Sequence, residues 1–358
     1  MLTKDYFFTF LFLHLFILTL FLLTRYFPGQ KAEGVVVENK PRIYLLNGLF
    51  IFILILIATA VSEILKLDYL IWINKNFAGL FISANIFAFA VTFILYSTAR
   101  EQVERSGDYF LNVIKGIICG VQKNPEWWQI DLKFFSYRPS LIGLALINLS
   151  FAAVQYQKYG QISDAMLLYQ LFTIVYIFNY FQFEYGMLFT WDIIAEKFGW
   201  MLVWGDYVLV PFFYSLPGWF LIDKVEPVSK IYISVLIMLF IFGFWLFRGA
   251  NEQKHQFKRN PSAIVWGEPA KSINGRLLTS GFWGIGRHLN YSGEICIYFA
   301  FTLTTGFNSI MPYLLPVWLT ILLVHRAWRD DVRCRNKYGD LWQEYTNTAK
   351  FRMIPFLY

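Results

Sequence analysis

Charge is what this chain has least of. Only 15% of its 358 residues are Asp, Glu, Lys or Arg, against roughly 25% in soluble domains, which excludes an ordinary cytoplasmic enzyme. Cysteine is scarce too. Cys119, Cys296 and Cys334 are scattered, with no CxxC and no histidine at metal-ligand spacing, so neither a disulfide scaffold nor a zinc site is expected. There is no repeat of fixed period and no low-complexity tract, which removes solenoids and fibres.

What is abundant is apolar. The chain is 57% hydrophobic and 20% aromatic, with 38 Phe, 22 Tyr and 13 Trp, and its mean hydropathy is +0.46. That is too much apolar surface to remain solvated, so disorder is excluded and an integral membrane protein is expected. A membrane helix takes about 20 largely apolar residues. Such windows occur near 6–27, 43–65, 78–98, 138–157, 165–190, 197–221, 229–248, 287–306 and 310–326, nine in all, and any long one can be a broken pair. The first is too long for a signal-peptide core and no small-residue cleavage site follows, so it is read as a span. Polar stretches at 99–137 (with Asp108), 249–286 and 327–358 are where site chemistry is expected. No segment has the composition of a separate soluble module, so one membrane domain is expected.

Ionisable groups inside apolar spans are costly and mark candidate sites. Glu184, Asp192 and Glu196 are such groups, and on a continuous helix all three share one side. For Asp192 and Glu196 a structural role, as an interface cap or as a partner of Lys197 or an arginine elsewhere, weighs equally with a role in a site. Glu184, among Phe181, Phe183, Tyr185 and Met187, is assigned to a pocket. Tyr176, Tyr180 and Tyr185 belong to the same region; a tyrosine here is more often a belt residue, but its hydroxyl can donate a proton when a neighbour tunes it.

The formal charge of +7 has an address. Fourteen basic and seven acidic residues lie from Arg248 onward, so residues 1–247 are neutral. This excess fits a cytoplasmic-facing flank and equally a pocket for a polyanion. Lys254 and Lys258 are four apart on one helical face that Pro261 must end, a spacing that suits a phosphate. Gly281, Gly284 and Gly286 precede Arg287 and His288, but their spacing is not GxGxxG and no strand is expected before them, so a dinucleotide fold of the Rossmann type is excluded. Arg287, His288, Asn290 and Tyr291 instead make a dense donor cluster at the start of a span, where helix-terminal N–H groups also favour anions. Farther on, Arg326, Asp330 and Cys334 share one face, and Arg329 and Arg333 another.

These motifs resemble one family. LLTSGFWGIGRHLNYSGE (277–294), TGFNS with PY two residues later, HRAWRDDVRCRNKYGDLWQEY (325–345) and RMIPFLY (352–358) are similar to the membrane-bound sterol reductases, which include C-14, C-7 and C-24(28) sterol reductases and the lamin B receptor. QKNPEWWQIDLKFFSYRP (122–139) and DIIAEKFGWMLVWGDYVLVPFFYSL (192–216) extend the likeness to about two thirds of the chain, a motif set long enough to be specific.

The resemblance implies an all-α fold of about ten membrane helices, with peripheral helices in 1–107, a sterol-side core in 108–247 and a cofactor part in 248–358. It implies NADPH as hydride donor and a sterol double bond as acceptor. Carried over for the cofactor are Lys254, Lys258, Leu278, Trp283, Arg287, His288, Asn290, Tyr291, Arg326, Asp330, Arg335 and Tyr345. Tyr176 and Asp330 become the candidate proton-delivery pair, with Glu184 and Asp192 on the substrate side. Lys258 stands where the family usually has Arg, Asn179 replaces a usual Asp, and Leu289 sits where many members have Pro. Lysine keeps the charge for a 2′-phosphate but loses bidentate recognition.

The chemistry makes matching demands. An isolated alkene is a poor hydride acceptor, so an acid screened from water must protonate it, and the carboxylates at 184, 192 and 330 are the available sources or tuners. TGFNS, HRA-x-RD and the apolar residue between His288 and Asn290 lean toward the C-24(28) type, ahead of C-14 and C-7. Partners expected are a sterol and membrane lipid, with no nucleic acid. The cofactor site is expected to face the cytoplasm, from the endoplasmic reticulum or a bacterial inner membrane. The competing readings are an isoprenylcysteine carboxyl-methyltransferase-like enzyme, whose S-adenosylmethionine has no phosphate for Lys254 and Lys258, and a non-catalytic sterol receptor or transporter. No chromatin-tethering module is expected.

Overall fold

The computed structural model describes residues 2–37, 40–102 and 109–355; Asp108 and residues 356–358, the end of the RMIPFLY motif, lie outside them. The chain divides into two compact units, Met1–Val225 and Glu226–Tyr358.

The first unit opens with α1 (Leu2–Tyr26), an antiparallel hairpin of Gln30–Val37 with Lys40–Leu46, then α2 (Gly48–Ile64), α3 (Tyr69–Lys75), α4 (Phe77–Ala99) and α5 (Tyr109–Ile118). A two-residue hairpin, Glu126–Trp127 with Ile130–Asp131, leads into α6 (Leu132–Tyr159) and α7 (Asp164–Gln182). Short pieces follow: α8 (Glu184–Met187), α9 (Trp191–Ile194), α10 (Trp200–Trp204), a π-helix (Gly205–Phe213) and α11 (Leu216–Leu221).

Capping sets the ends of the central helix. Asp131 Oδ1 accepts the N–H groups of Lys133 and Phe134, both at 3.0 Å, a cap worth about 1 kcal/mol. Helix α6 therefore starts six residues before the apolar window that revealed it. Its other carboxylate oxygen accepts from Arg42 Nη1 at 2.9 Å, Tyr44 at 2.8 Å and Asn124 Nδ2 at 3.1 Å, tying the first hairpin to the α6 N-terminus. Gly160, at φ +68°, closes the helix in the left-handed conformation. Ser163 Oγ then caps α7 through the Met166 N–H.

The second unit holds α12 (Lys230–Arg259), two small hairpins (Ile264–Val265 with Glu268–Pro269, Ser272–Ile273 with Leu277–Leu278), α13 (Phe282–Ile285), α14 (Leu289–Leu303), α15 (Leu314–Tyr338) and α16 (Asp340–Thr348). Helix α12 ends before Pro261, as its sequence requires. Helices α12 and α14 form the main packing pair of this unit.

The described residues are mostly helical, as expected, with four two-stranded hairpins as minor additions. Among the described residues, five helices are long and apolar enough to cross a membrane: Tyr6–Tyr26, Phe77–Gln102, Leu132–Tyr159, Asp164–Gln182 and Lys230–Arg259. A sixth candidate is α2 with α3, bent by 98°, where Lys66 and Asp68 adopt left-handed backbone angles. Three of the nine windows behave differently for local reasons. The window at 197–221 is broken by the π-helix and by Pro211 and Pro217. Helix α14 has only 15 residues, about 22 Å of rise against a hydrocarbon core of about 30 Å. Helix α15 continues into the charged run that ends at Tyr338, which dilutes its apolar half.

Candidate functional site

Glu184, Asp192 and Glu196 do not lie on one continuous helix. Helix α7 stops at Gln182 because Phe183 leaves helical geometry (φ −111°, ψ +36°), and the three acids fall on α8, α9 and the loop beyond. The force that bends the chain is visible in Glu184. Arg138 Nη2 and Nε donate to Glu184 Oε1 at 2.9 and 3.2 Å, and the Gly48 N–H donates to its other oxygen at 2.9 Å, so the acid caps α2. Side-chain exposure is 1% for Arg138 and 5% for Glu184. An ion pair this dry is stabilising only as a pair. Lys133, also buried, donates to the main-chain oxygens of Asp192 (2.6 Å), Ile193 (3.2 Å) and Glu196 (2.7 Å), pinning α9 to the start of α6. Tyr176 is buried on α7, and its hydroxyl donates to that of Tyr180 at 3.3 Å.

The donor-rich wall belongs to the second unit, and α12 holds it in place. Trp283 Nε1 donates to the Ala250 carbonyl at 2.7 Å, Asn290 Nδ2 to Asn251 Oδ1 at 3.1 Å, and the Phe282 N–H to Gln253 Oε1 at 2.9 Å. Lys254 Nζ lies 4.2 Å over the Trp283 ring, a cation–π contact. Lys258, one turn on, feels Lys254, Lys337 and Asp330 as its charged neighbours. Gly281, at φ +62°, admits Gln253 so closely that a β-carbon there would collide with its Oε1. Leu278 is packed in an apolar cluster with Trp283, Phe282 and Leu289.

His288 stacks on Tyr291, ring centres 5.0 Å apart and 8° from parallel. Its Nε2 lies 3.9 Å from Asp330 Oδ2 on α15, too far for a hydrogen bond. Tyr345 donates its hydroxyl to the Trp283 carbonyl at 3.1 Å, and burial raises its pKa above the ordinary tyrosine range, so it stays a donor. The wall thus unites Lys254, Trp283, His288, Asn290, Tyr291, Asp330 and Tyr345, while Arg326 is half-buried on α15, on the face of Asp330.

Arg287 is aimed elsewhere. Its Nη1 donates to the Ala349 carbonyl at 2.7 Å, its Nε lies 3.6 Å from Asp331 Oδ1, and its N–H donates to the Phe351 carbonyl at 3.0 Å. Arg352 and Arg335 approach the other Asp331 oxygen at 3.4 and 3.6 Å, Arg335 from an exposed position. Asp331 is buried and gathers three arginines, binding the C-terminal segment to the start of α14.

Sequence reasoning missed Asp331, Asn251, Lys133 and Arg138. Asn251 lies one turn before Lys254 on the same face. Lys133 and Arg138 were visible as charges beside an apolar window, the signal that drew attention to Glu184. One exclusion needs amending: a strand, Leu277–Leu278, does precede the glycines. It pairs antiparallel with Ser272–Ile273, so the dinucleotide fold is still excluded, now by topology.

The residues fit a dinucleotide on one observation. His288 Nε2 and Asn290 Oδ1 are shielded from solvent and have no hydrogen-bond partner among the described residues, and buried polar atoms are rarely left so without a ligand or water to satisfy them. Lys254 and Lys258 supply the cationic end.

The model of the ergosterol biosynthesis ERG4/ERG24 family matches residues 2–358. A Delta(14)-sterol reductase of Arabidopsis thaliana is 38% identical over 336 residues, covering 92% of this chain and 91% of the relative. One of Methylotuvimicrobium alcaliphilum is 39% identical over 349 residues, covering 92% and 79%. A 7-dehydrocholesterol reductase of Xenopus laevis is 35% identical over 305 residues, covering 79% and 63%. These names do not support the lean toward the C-24(28) type, which rested on short motifs. With its whole length matched, the chain belongs to the ergosterol biosynthesis ERG4/ERG24 family of sterol reductases.

Proposed function

We propose that this protein reduces a ring double bond of a sterol, at C-14 or C-7, with NADPH as reductant. The family match over the whole chain carries the reading, and the relatives named for those two bonds supply the positions. When bound, NADPH supplies hydride. Lys254 and Lys258 hold its phosphate. Trp283, His288, Asn290, Tyr291 and Tyr345 orient the dinucleotide, with Leu278 and Arg326 around them, while Arg287 and Arg335 act through Asp331.

Protonation of the alkene falls to this chain. Asp330, at the edge of the wall, and Tyr176, buried on α7, are the proposed proton-bearing groups. The Tyr176 O–H turns from Tyr180 to the alkene, and the Tyr180 hydroxyl then donates to the Tyr176 oxygen as its proton leaves, while the apolar residues of α7 keep bulk water from competing for that proton. Glu184 and Asp192 act through structure, one by holding Arg138 and α2, the other by presenting its carbonyl to Lys133. The ten-helix arrangement and a cytoplasm-facing cofactor site belong to this proposal. A methyltransferase reading loses its support, since it has no use for the paired lysines.

The test incubates membranes containing the protein with NADPH and sterols unsaturated at C-7, C-14 or C-24, with products identified by mass spectrometry. Loss of the C-14 or C-7 bond is expected. Methyl transfer from S-adenosylmethionine with no sterol consumed, or reduction confined to the side chain, overturns the reading.

A further inference from the structure

Asn290 is half-satisfied. Its amide nitrogen is engaged, donating to Asn251 Oδ1 at 3.1 Å, while its Oδ1 is shielded from solvent and has no partner among the described residues. A primary amide has one donor end and one acceptor end, so whatever holds the nitrogen decides where the oxygen points. Among the described residues Asn251 alone holds it, from α12, one helical turn before Lys254. An acceptor oxygen buried without a donor is unfavourable, and a ligand that supplies an N–H or O–H relieves it.

We infer that Asn251 is a positioning residue of the cofactor wall: by accepting the Asn290 amide N–H it turns Asn290 Oδ1 toward a neutral hydrogen-bond donor of the bound dinucleotide. The inference rests on the NADPH reading. Asn251 needs no contact with the cofactor. Its neighbours work the same way, since Ala250 holds Trp283 and Gln253 holds the Phe282 backbone. This stretch of α12 is thus a template against which the loop before α14 is set. Asn251 is the member that selects an orientation, because an amide turned over presents N–H where the ligand also has N–H or O–H.

The test is NADPH affinity of the full-length protein in detergent, read by quenching of tryptophan fluorescence, with thermal melting followed in parallel. Asn251→Leu is expected to weaken NADPH binding about tenfold, the loss of one hydrogen bond of ~1.4 kcal/mol, with a melting temperature close to that of the parent. Asn251→Asp keeps the acceptor oxygen and is expected to bind within about threefold of the parent at a salt concentration that screens its charge. Asn290→Leu is expected to lose at least as much as Asn251→Leu, and the double variant no more than Asn290→Leu alone, because one residue acts through the other. A double variant weakened by the product of the single losses, or an Asn251→Leu protein that binds like the parent, overturns the positioning role while leaving the NADPH reading intact. A parent protein that does not bind NADPH overturns that reading, and this inference with it.

Discussion

Gly243 on α12 and Gly293 on α14 are in backbone contact: a β-carbon on Gly293 would stand 2.6 Å from the Gly243 carbonyl oxygen, and one on Gly243 2.8 Å from that of Gly293. Neither neighbour is a side chain that can swing away. This contact fixes the spacing between the helix that carries Asn251 and Lys254 and the helix that His288 and Asn290 begin.

Gly293→Ala is therefore expected to push α14 off α12, at about 1–3 kcal/mol for overpacking. Both the melting temperature and NADPH affinity should fall, since the Asn251–Asn290 hydrogen bond is stretched with the helices. Gly186, which has open space around it, is the control: Gly186→Ala should leave NADPH affinity unchanged.

The Arg138–Glu184 pair gives a stability prediction. Arg138→Met leaves the Glu184 carboxylate buried with, among the described residues, only the Gly48 N–H, and a cost of about 3–5 kcal/mol is expected. Arg138→Met with Glu184→Leu removes both charges and should recover part of the loss, measured by thermal melting of detergent-solubilised protein. A double variant less stable than Arg138→Met would show that the acid does more than pair.

Asp330 and Asp331 are adjacent in sequence and opposite in expected behaviour. Asp331→Asn weakens the hold on Arg287 and Arg352, so melting should fall by an amount equivalent to about 3 kcal/mol while NADPH still binds at low temperature. Asp330→Asn should leave melting near the parent value and cut turnover by about 10²-fold or more, the scale of a lost proton donor. Parent-like turnover in Asp330→Asn would remove it from the mechanism.

Burial, with Asp330 beside it, pushes the Cys334 thiol up to about 12. At pH 8 only about one in ten thousand such thiols is ionised, and the thiolate is the reactive form. Cys119 is exposed. Maleimide at pH 8 should modify Cys119 within minutes and leave Cys334 unmodified for hours, read by peptide mass spectrometry.

Much of this molecule was legible in composition and order. Low charge, long apolar windows and the motifs around Gly281–Tyr291 and His325–Tyr345 sufficed for a membrane protein of this family, because hydrophobicity and motif order are local properties of the chain. The end of α12 followed from Pro261 for the same reason. What resisted was anything set by a partner distant in sequence. Whether Glu184 faces a ligand or Arg138, whether Arg287 faces a cofactor or Asp331, and which way the Asn290 amide turns are decided by side chains 39 to 46 positions away. Composition and motif thus determined the class of protein and the residue types of its wall. Only the tertiary structure decided which of those residues bind a ligand and which hold the others, because a buried charge or amide takes its role from the group that satisfies it.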